Sequence, residues 1–147
     1  MNAGEEHPPV MHTVEVPVPP AAAFAAFVER IGEWWPLRQF AVHDDAATAV
    51  IEPSPGGAVY EVTRGGLEAP WGSVVASDPP HVITIAWRLP PATPPTLLVV
   101  RMSEAGTGSL VTVEHSGWST YGPAAGELRA SYDEGWPAVL ECFAAIV

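Results

Sequence analysis

The chain begins with an alternating pattern and then changes to helical spacing. Valines at 10, 14 and 16 fall on one face of an extended segment, so residues 10–16 are predicted to form a strand. Prolines follow at 17, 19 and 20, and proline is favoured in the first turn of a helix. From Ala21 to about Gly32 the sequence predicts that helix, because apolar residues recur at Phe24, Phe27, Val28 and Ile31. A second short turn then carries Trp34 and Trp35 and ends at Pro36.

The middle of the chain has the pattern of short strands separated by glycine- and proline-rich turns. Strands are predicted over residues 47–52, 58–63, 72–77, 81–89, 96–102 and 109–115. The intervening segments, such as the Pro-Ser-Pro-Gly-Gly stretch at 53–57, contain residues that cannot continue a strand. Because the connections are short, neighbouring strands must be antiparallel.

The last segment carries one apolar stripe with the spacing of a long helix, formed by Leu128, Tyr132, Trp136, Val139, Leu140, Phe143 and Val147. One face of the predicted sheet must be covered, and this helix is the only element long enough to cover it. A strongly bent sheet around a helix leaves a space between the two. The sequence therefore predicts one α+β domain over residues 10–147, preceded by a disordered N-terminal tail at residues 1–9.

Composition and charge narrow the classes of partner. The chain has 17 acidic residues against 6 lysines and arginines, a formal net charge of −11. Six scattered cations cannot form a basic surface, so neither nucleic acid nor a membrane is an expected partner. The N-terminus has no signal-peptide pattern, and the single cysteine cannot form an internal disulfide. These features predict a cytoplasmic protein, with the choice between monomer and homodimer left open.

The histidines show no spacing typical of a metal site, so no metal and no cofactor is expected. His115 alone attracts attention, because it follows Val111 and Val113 on one face of a predicted strand. It is either a strand-end histidine bonded to nearby backbone, a hydrogen-bonding contact to a ligand, or a base. Glu114 points to the opposite face and cannot act with it on one substrate. No residue is assigned a catalytic role, and an enzyme is the less favoured class.

Six tryptophans in 147 residues indicate either a packed aromatic core or a cavity lined for an apolar guest. Trp87 is expected to face inward and Arg88 outward, since neighbours on a strand alternate. Trp118 and Tyr121 precede the last helix, where core filling is harder, and are predicted to form a mobile gate. The predicted ligand-binding residues are Trp34, Trp35, Trp87, His115, Trp118, Tyr121, Tyr132 and Trp136.

The order and spacing of several motifs resemble a known superfamily. These motifs are Phe24 and Phe27 before Trp34-Trp35, the turn at 55–57, residues 72–80, 85–87 and 111–115, and Gly135-Trp136. Together they resemble the START-like, or SRPBCC, superfamily, in the branch related to the C-terminal domain of the heat-shock-protein ATPase activator. Within that branch the motifs at 33–36, 87–89, 113–115 and 135–137 are most similar to an enediyne self-resistance protein.

The resemblance implies a helix-grip fold: a curved antiparallel sheet of about six to seven strands around a long C-terminal helix, with two short helices after the first strand. It implies that a hydrophobic or aromatic small molecule binds between the sheet and that helix. Three alternatives stay open: sequestration of an enediyne-like antibiotic in self-resistance, a protein-interaction module acting on a chaperone, and an enzyme like the polyketide cyclases and dehydratases.

Overall fold

One strand comes first, two short helices follow, and six more strands lead to a long C-terminal helix. The structure, a computed structural model, describes residues 7–88 and 94–147. The strands are β1 (Val10–Val16), β2 (Ala46–Ile51), β3 (Ala58–Thr63), β4 (Glu68–Asp78), β5 (Val82–Trp87), β6 (Thr96–Ala105) and β7 (Gly108–Ser116). The helices are α1 (Pro20–Glu29), α2 (Ile31–Trp34) and α3 (Ala125–Ile146), with a 3₁₀ segment, Trp118–Ala124, before α3. The predicted order of elements is confirmed. Leu89 and most of the predicted connection 90–95 lie outside the described residues.

The seven strands form a single antiparallel sheet in the order β1-β7-β6-β5-β4-β3-β2. The first strand pairs with the last, with Val10 opposite His115 and Val16 opposite Ser109. The register shifts in the β2–β3, β3–β4 and β4–β5 pairs. Such irregularities increase local twist, and the sheet curls around α3. The α+β helix-grip class predicted from the sequence is confirmed.

Burial follows the pleat of the strands, as the alternating pattern predicts. In β5 every second residue is buried, and these inward residues are Ile83, Ile85 and Trp87. In β7 the same periodicity buries Ser109, Val111, Val113 and His115. The stripe of α3 supplies the facing layer with Trp136, Val139, Leu140 and Phe143. Arg88 is exposed beside the buried Trp87, as expected.

The two short helices close one end of the curled sheet. Pro20 occupies the first turn of α1, where its missing N–H leaves no hydrogen bond unmade. The buried side of α1 carries Phe24, Phe27 and Val28. The indole N–H of Trp34 donates to the Ala26 carbonyl (3.2 Å), which ties α2 to α1.

The start of β1 is tied to α3 by polar contacts. His12 Nε2 lies 2.7 Å from Asp133 Oδ1. The guanidinium of Arg129 donates to the carbonyl oxygens of Pro8 (2.6 Å) and Pro9 (3.2 Å). Residues 1–6 of the predicted tail lie outside the described residues.

Candidate functional site

A cleft of about 350 Å³ opens between α3 and the segment that follows α2. Its lining falls into two walls, one from α3 and one from residues 35–42. The α3 wall consists of Leu128, Ser131, Tyr132, Gly135, Trp136 and Val139, and the other of Trp35, Gln39, Phe40, Ala41 and Val42. The α3 residues recur every three or four positions, so they share one helix face. This face is the N-terminal half of the stripe predicted from the sequence.

Gly135 lets the two walls approach each other closely. A Cβ atom at this position would lie 3.2 Å from Cζ of Phe40, which is tighter than most real contacts. The Phe40 ring therefore rests on the helix surface where any other residue would place a side chain. The wall that carries Phe40 is held in place by a hydrogen bond, in which the Trp35 indole N–H donates to the Phe40 carbonyl at 2.7 Å.

The chemistry of the cleft is mainly apolar. Among the described residues that line it, none carries a charge, and the polar side chains are Gln39, Ser131 and Tyr132. Burial raises the pKa of Tyr132 to about 12, the hydrogen bond from Trp87 opposing this shift. Its phenol is thus neutral at ordinary pH. Apolar lining with a few orienting polar groups is typical of small-molecule sites.

Aromatic rings fill the space between the sheet and α3, where the sequence placed the cavity. Each tryptophan is at most 6% exposed. Trp87 is central, with ring centroids 5.6 Å from Trp35, 5.8 Å from Trp71 and 6.3 Å from Trp136. The rings of this aromatic layer are in contact with one another. The cleft described above therefore lies at the edge of the layer.

His115 is part of this packed layer and is bonded at both ring nitrogens. The indole N–H of Trp136 can only donate, so His115 Nδ1 accepts from it at 3.1 Å. His115 Nε2 then carries the proton and donates to the Thr96 hydroxyl oxygen at 2.7 Å. That hydroxyl in turn donates to the Trp87 carbonyl at 3.2 Å. Burial lowers the pKa of His115 to about 3, so the ring is neutral and its hydrogen bonds hold the core together.

The family is decided by the match of the chain to one family model. The model described as Activator of Hsp90 ATPase homolog 1-like protein matches residues 17–147. The chain belongs to this family. The resemblance to the heat-shock-protein ATPase activator branch, inferred from the motifs, is confirmed. None of the curated proteins compared with the chain matches it.

Two of the solved structures with the same fold are 28% identical in sequence to this member of the Activator of Hsp90 ATPase homolog 1-like family. CalC from Micromonospora echinospora, a self-sacrificing resistance protein, is 28% identical with a TM-score of 0.71, over 95% of this chain and 93% of its own. Txn09, an anthrahydroquino-γ-pyrone synthase, is 28% identical with a TM-score of 0.66, over 95% and 97%. The protein MLL2253 from Mesorhizobium loti is 18% identical with a TM-score of 0.70, over 93% and 94%, and shows the fold alone.

The structure places the predicted ligand-binding residues in four different surroundings. Trp35, Tyr132 and Trp136 line the cleft. Three others, Trp87, His115 and Trp118, lie within the aromatic layer, and Trp34 packs behind it on Phe27 and Phe143. Tyr121 is half-buried within the 3₁₀ segment, and its hydroxyl donates to the Pro94 carbonyl at 2.7 Å.

The structure places Trp118, which was predicted to belong to a mobile gate, in the core. Its side chain is 1% exposed, and its ring centroid lies 4.5 Å from that of His115 and 5.3 Å from that of Tyr132. Its indole N–H donates to the His115 carbonyl at 3.0 Å. The 3₁₀ segment begins at Trp118 and turns the ring inward, so a connecting segment contributes a core residue.

Sequence reasoning missed the wall at residues 39–42 and the group that supports it, Glu61. The Glu61 side chain is fully buried on the inner face of β3, between Val59 and Thr63. Its carboxyl group accepts hydrogen bonds from the backbone amides of Val42 and His43. The alternation in the sequence gives no signal for Glu61, since it favours the more apolar face with Tyr60 and Val62 as the buried one.

Within residues 7–88 and 94–147, no group of three or more His, Cys, Asp or Glu side chains is placed to hold a metal ion. In the same ranges, no helix has both the length and the apolar character needed to cross a membrane.

Proposed function

We propose that this protein binds an uncharged, flat aromatic small molecule in the cleft between α3 and residues 35–42. The observation that carries the proposal is the lining, in which four aromatic rings face the space and, among the described residues, no charged side chain takes part. The rings belong to Trp35, Phe40, Tyr132 and Trp136.

The size and chemistry of the cleft support a ligand of a few fused rings. A volume of about 350 Å³ is within the range of pockets that hold drug-sized ligands, roughly 300–1,000 Å³. Each ring that stacks on the ligand contributes on the order of 0.5–1.5 kcal/mol beyond its burial. A charged group of the ligand would lose its hydration without gaining an ionic partner, so the buried part is uncharged.

The similar proteins support the same class of ligand from a second direction. Txn09 is a synthase for an anthrahydroquino-γ-pyrone, which is a fused aromatic compound by its name. CalC is a resistance protein at the same identity. Both likenesses are consistent with binding of a small molecule, and the name of Txn09 favours a fused aromatic one.

Self-resistance by sequestration of an antibiotic of this class is the second candidate, and the likeness to CalC favours it. Catalysis has less support. His115 is bonded at both nitrogens and held neutral, and the described residues of the cleft offer an amide and two hydroxyl groups but no pair of ionisable side chains.

The test uses quinizarin, a flat hydroxylated anthraquinone, and two matched variants of α3. Ser131 lines the cleft, whereas the adjacent Ala130 is exposed and does not, because successive helical residues diverge by about 100°. Ser131→Trp should fill the cleft and weaken binding at least tenfold, or about 1.4 kcal/mol. Ala130→Trp adds the same ring outside it and should bind as the wild type does, as measured by calorimetry.

The location of the ligand is read from the indole N–H signals in a nitrogen-15 correlation spectrum. Quinizarin in the cleft should shift the signals of Trp35 and Trp136 and leave that of Trp34 in place. Absence of binding to the wild type, or equal binding by both variants, would contradict the proposal. Shifts confined to Trp87 and Trp118 would place the ligand in the aromatic layer instead.

A further inference from the structure

The side chain of Glu61 is the most unusual buried group in the part of the chain that the structure describes. It has no exposed surface, and it forms no ion pair with any described residue. Instead it accepts three N–H groups. Oε1 accepts from the Val42 amide (2.6 Å) and the Trp71 indole (2.7 Å), and Oε2 accepts from the His43 amide (2.9 Å). A carboxyl group can accept at both oxygens, so all three donors are satisfied at once.

Two of these bonds connect the sheet directly to the wall of the cleft, and the third joins Glu61 to Trp71 on β4. Val42 lines the cleft, and His43 continues the same segment toward β2. Trp71 packs on Trp35 with a centroid distance of 5.2 Å. Trp35 lines the cleft and donates to the Phe40 carbonyl. The contacts thus form a closed circuit from Glu61 through Trp71 and Trp35 to the wall, and back through Val42.

The rest of the wall is held mainly by its own backbone. The amides of Gln39 and Phe40 both donate to the Pro36 carbonyl at 3.1 Å, which fixes the turn but not its distance from the sheet. The two amide bonds to Glu61 set that distance. An apolar side chain at this position would remove the acceptor of the Trp71 indole and of the Val42 and His43 amides, which explains a carboxyl group at this buried position of β3.

We propose that Glu61 is a positioning residue that sets the width of the ligand cleft by holding the Val42–His43 backbone against the sheet. The proposal rests on the ligand-binding function proposed above. Glu61 itself does not touch the ligand, because it lies behind the wall.

The test compares Glu61→Gln with Ser109→Ala. Glutamine keeps one acceptor oxygen, but its NH2 group can only donate and therefore cannot accept from the N–H group at the other oxygen position. Ser109 is the matched control, since it is also a buried polar residue whose side chain fixes a connecting segment. Its hydroxyl donates to the Val18 carbonyl at 2.7 Å, away from the cleft.

Amide hydrogen exchange, measured by NMR, tests the positioning without any ligand. In the wild type the Val42 and His43 amides should exchange slowly compared with those of Asp44 and Asp45. In Glu61→Gln the protection of at least one of these two amides should be lost, while Ser109→Ala should keep both protected. Fast exchange of both amides in the wild type would overturn the proposal, as would unchanged protection in Glu61→Gln.

Quinizarin affinity, measured where each variant is fully folded, tests the consequence for binding. Glu61→Gln should bind roughly tenfold more weakly or worse, and Ser109→Ala should bind as the wild type does. Loss of protection with unchanged affinity would make Glu61 a purely structural anchor and overturn the proposal. If Glu61→Gln does not fold, Glu61→Asp serves, because its shorter carboxyl group cannot reach both amides. Failure of the wild type to bind quinizarin would count against the proposed function alone, and the exchange rates would still decide the role of Glu61.

Discussion

The hydrogen bonds of the six tryptophans explain how so many large rings are buried in one interior without leaving an indole N–H unpaired. Each indole N–H donates to an acceptor inside the protein, and three of the acceptors belong to Glu61, Tyr132 and the ring of His115. The other three are the carbonyl oxygens of Ala26, Phe40 and His115. An indole buried with its N–H bonded is fixed in orientation as well as position. The tryptophans are therefore mainly structural, and Trp35 and Trp136 also face the cleft.

Trp118 and Trp136 should behave alike when truncated, since both are core residues. Trp118→Ala and Trp136→Ala should each lower the free energy of unfolding by roughly 3–5 kcal/mol, because each leaves a large cavity. Urea unfolding followed by circular dichroism measures the change. Tyr121→Phe is the control, and it should cost much less because that side chain is half-buried and loses one hydrogen bond. Wild-type stability in Trp118→Ala would restore the idea of a gate at this position.

The long helix α3 contributes residues both to the core and to the cleft, and its composition reflects both roles. Its C-terminal half buries Val139, Leu140 and Phe143 in the core, while its N-terminal half lines the cleft with Leu128 and Ser131. Glycine inside a helix costs about 0.5–1 kcal/mol relative to alanine. Gly135 is nevertheless in the middle of α3, and the Phe40 ring above it supplies the reason.

Gly135→Ala should therefore gain little or no stability in the wild-type background. The new methyl group should displace the Phe40 ring, which offsets the gain in helix propensity. In a Phe40→Ala background the same substitution should stabilise by about 0.5–1 kcal/mol, because the conflict is gone. Chemical denaturation of the four proteins completes the cycle. The full gain in both backgrounds would mean that the ring moves away at no cost.

At the level of the whole domain, the His115 hydrogen bonds join three separate elements. His115 lies on β7, Thr96 on β6 and Trp136 on α3, so the network links two adjacent strands to the covering helix. A proton on Nδ1 would face the Trp136 N–H, which has no lone pair to accept it. The folded state therefore disfavours the protonated form of this histidine.

The stability of the domain should fall as the pH decreases from about 6.5 to about 3 because of this one residue. Burial lowers the folded pKa of His115 from 6.5 to about 3, so in this window the unfolded chain binds a proton that the folded protein does not. Between pH 7 and pH 5 the wild type should lose about 2 kcal/mol more than His115→Gln. Urea unfolding at both pH values gives the difference. Parallel pH dependence in the two proteins would show that the histidine takes up its proton without unfolding.

Several features of this protein follow from the sequence by itself. Alternation in β1, β5 and β7 and the stripe of α3 are local patterns, so each predicts its element and its buried face. The order and spacing of the motifs also predicted the family, because both follow the order of the strands and helices along the chain. The face of α3 that lines the cleft, with Tyr132 and Trp136, could be predicted from the sequence because these residues belong to the helical stripe.

The tertiary structure alone decided which aromatic residues line the cleft and which fill the core. Trp87 finds its acceptor on Tyr132, 45 positions away, and the Val42 amide finds Glu61 at a separation of 19. Composition cannot show that large rings will close the space between sheet and helix, because closure depends on how all of them pack together. A hydrogen bond between distant residues leaves no periodic trace in the sequence. For that reason Glu61 and the wall that it holds became visible only in the folded molecule.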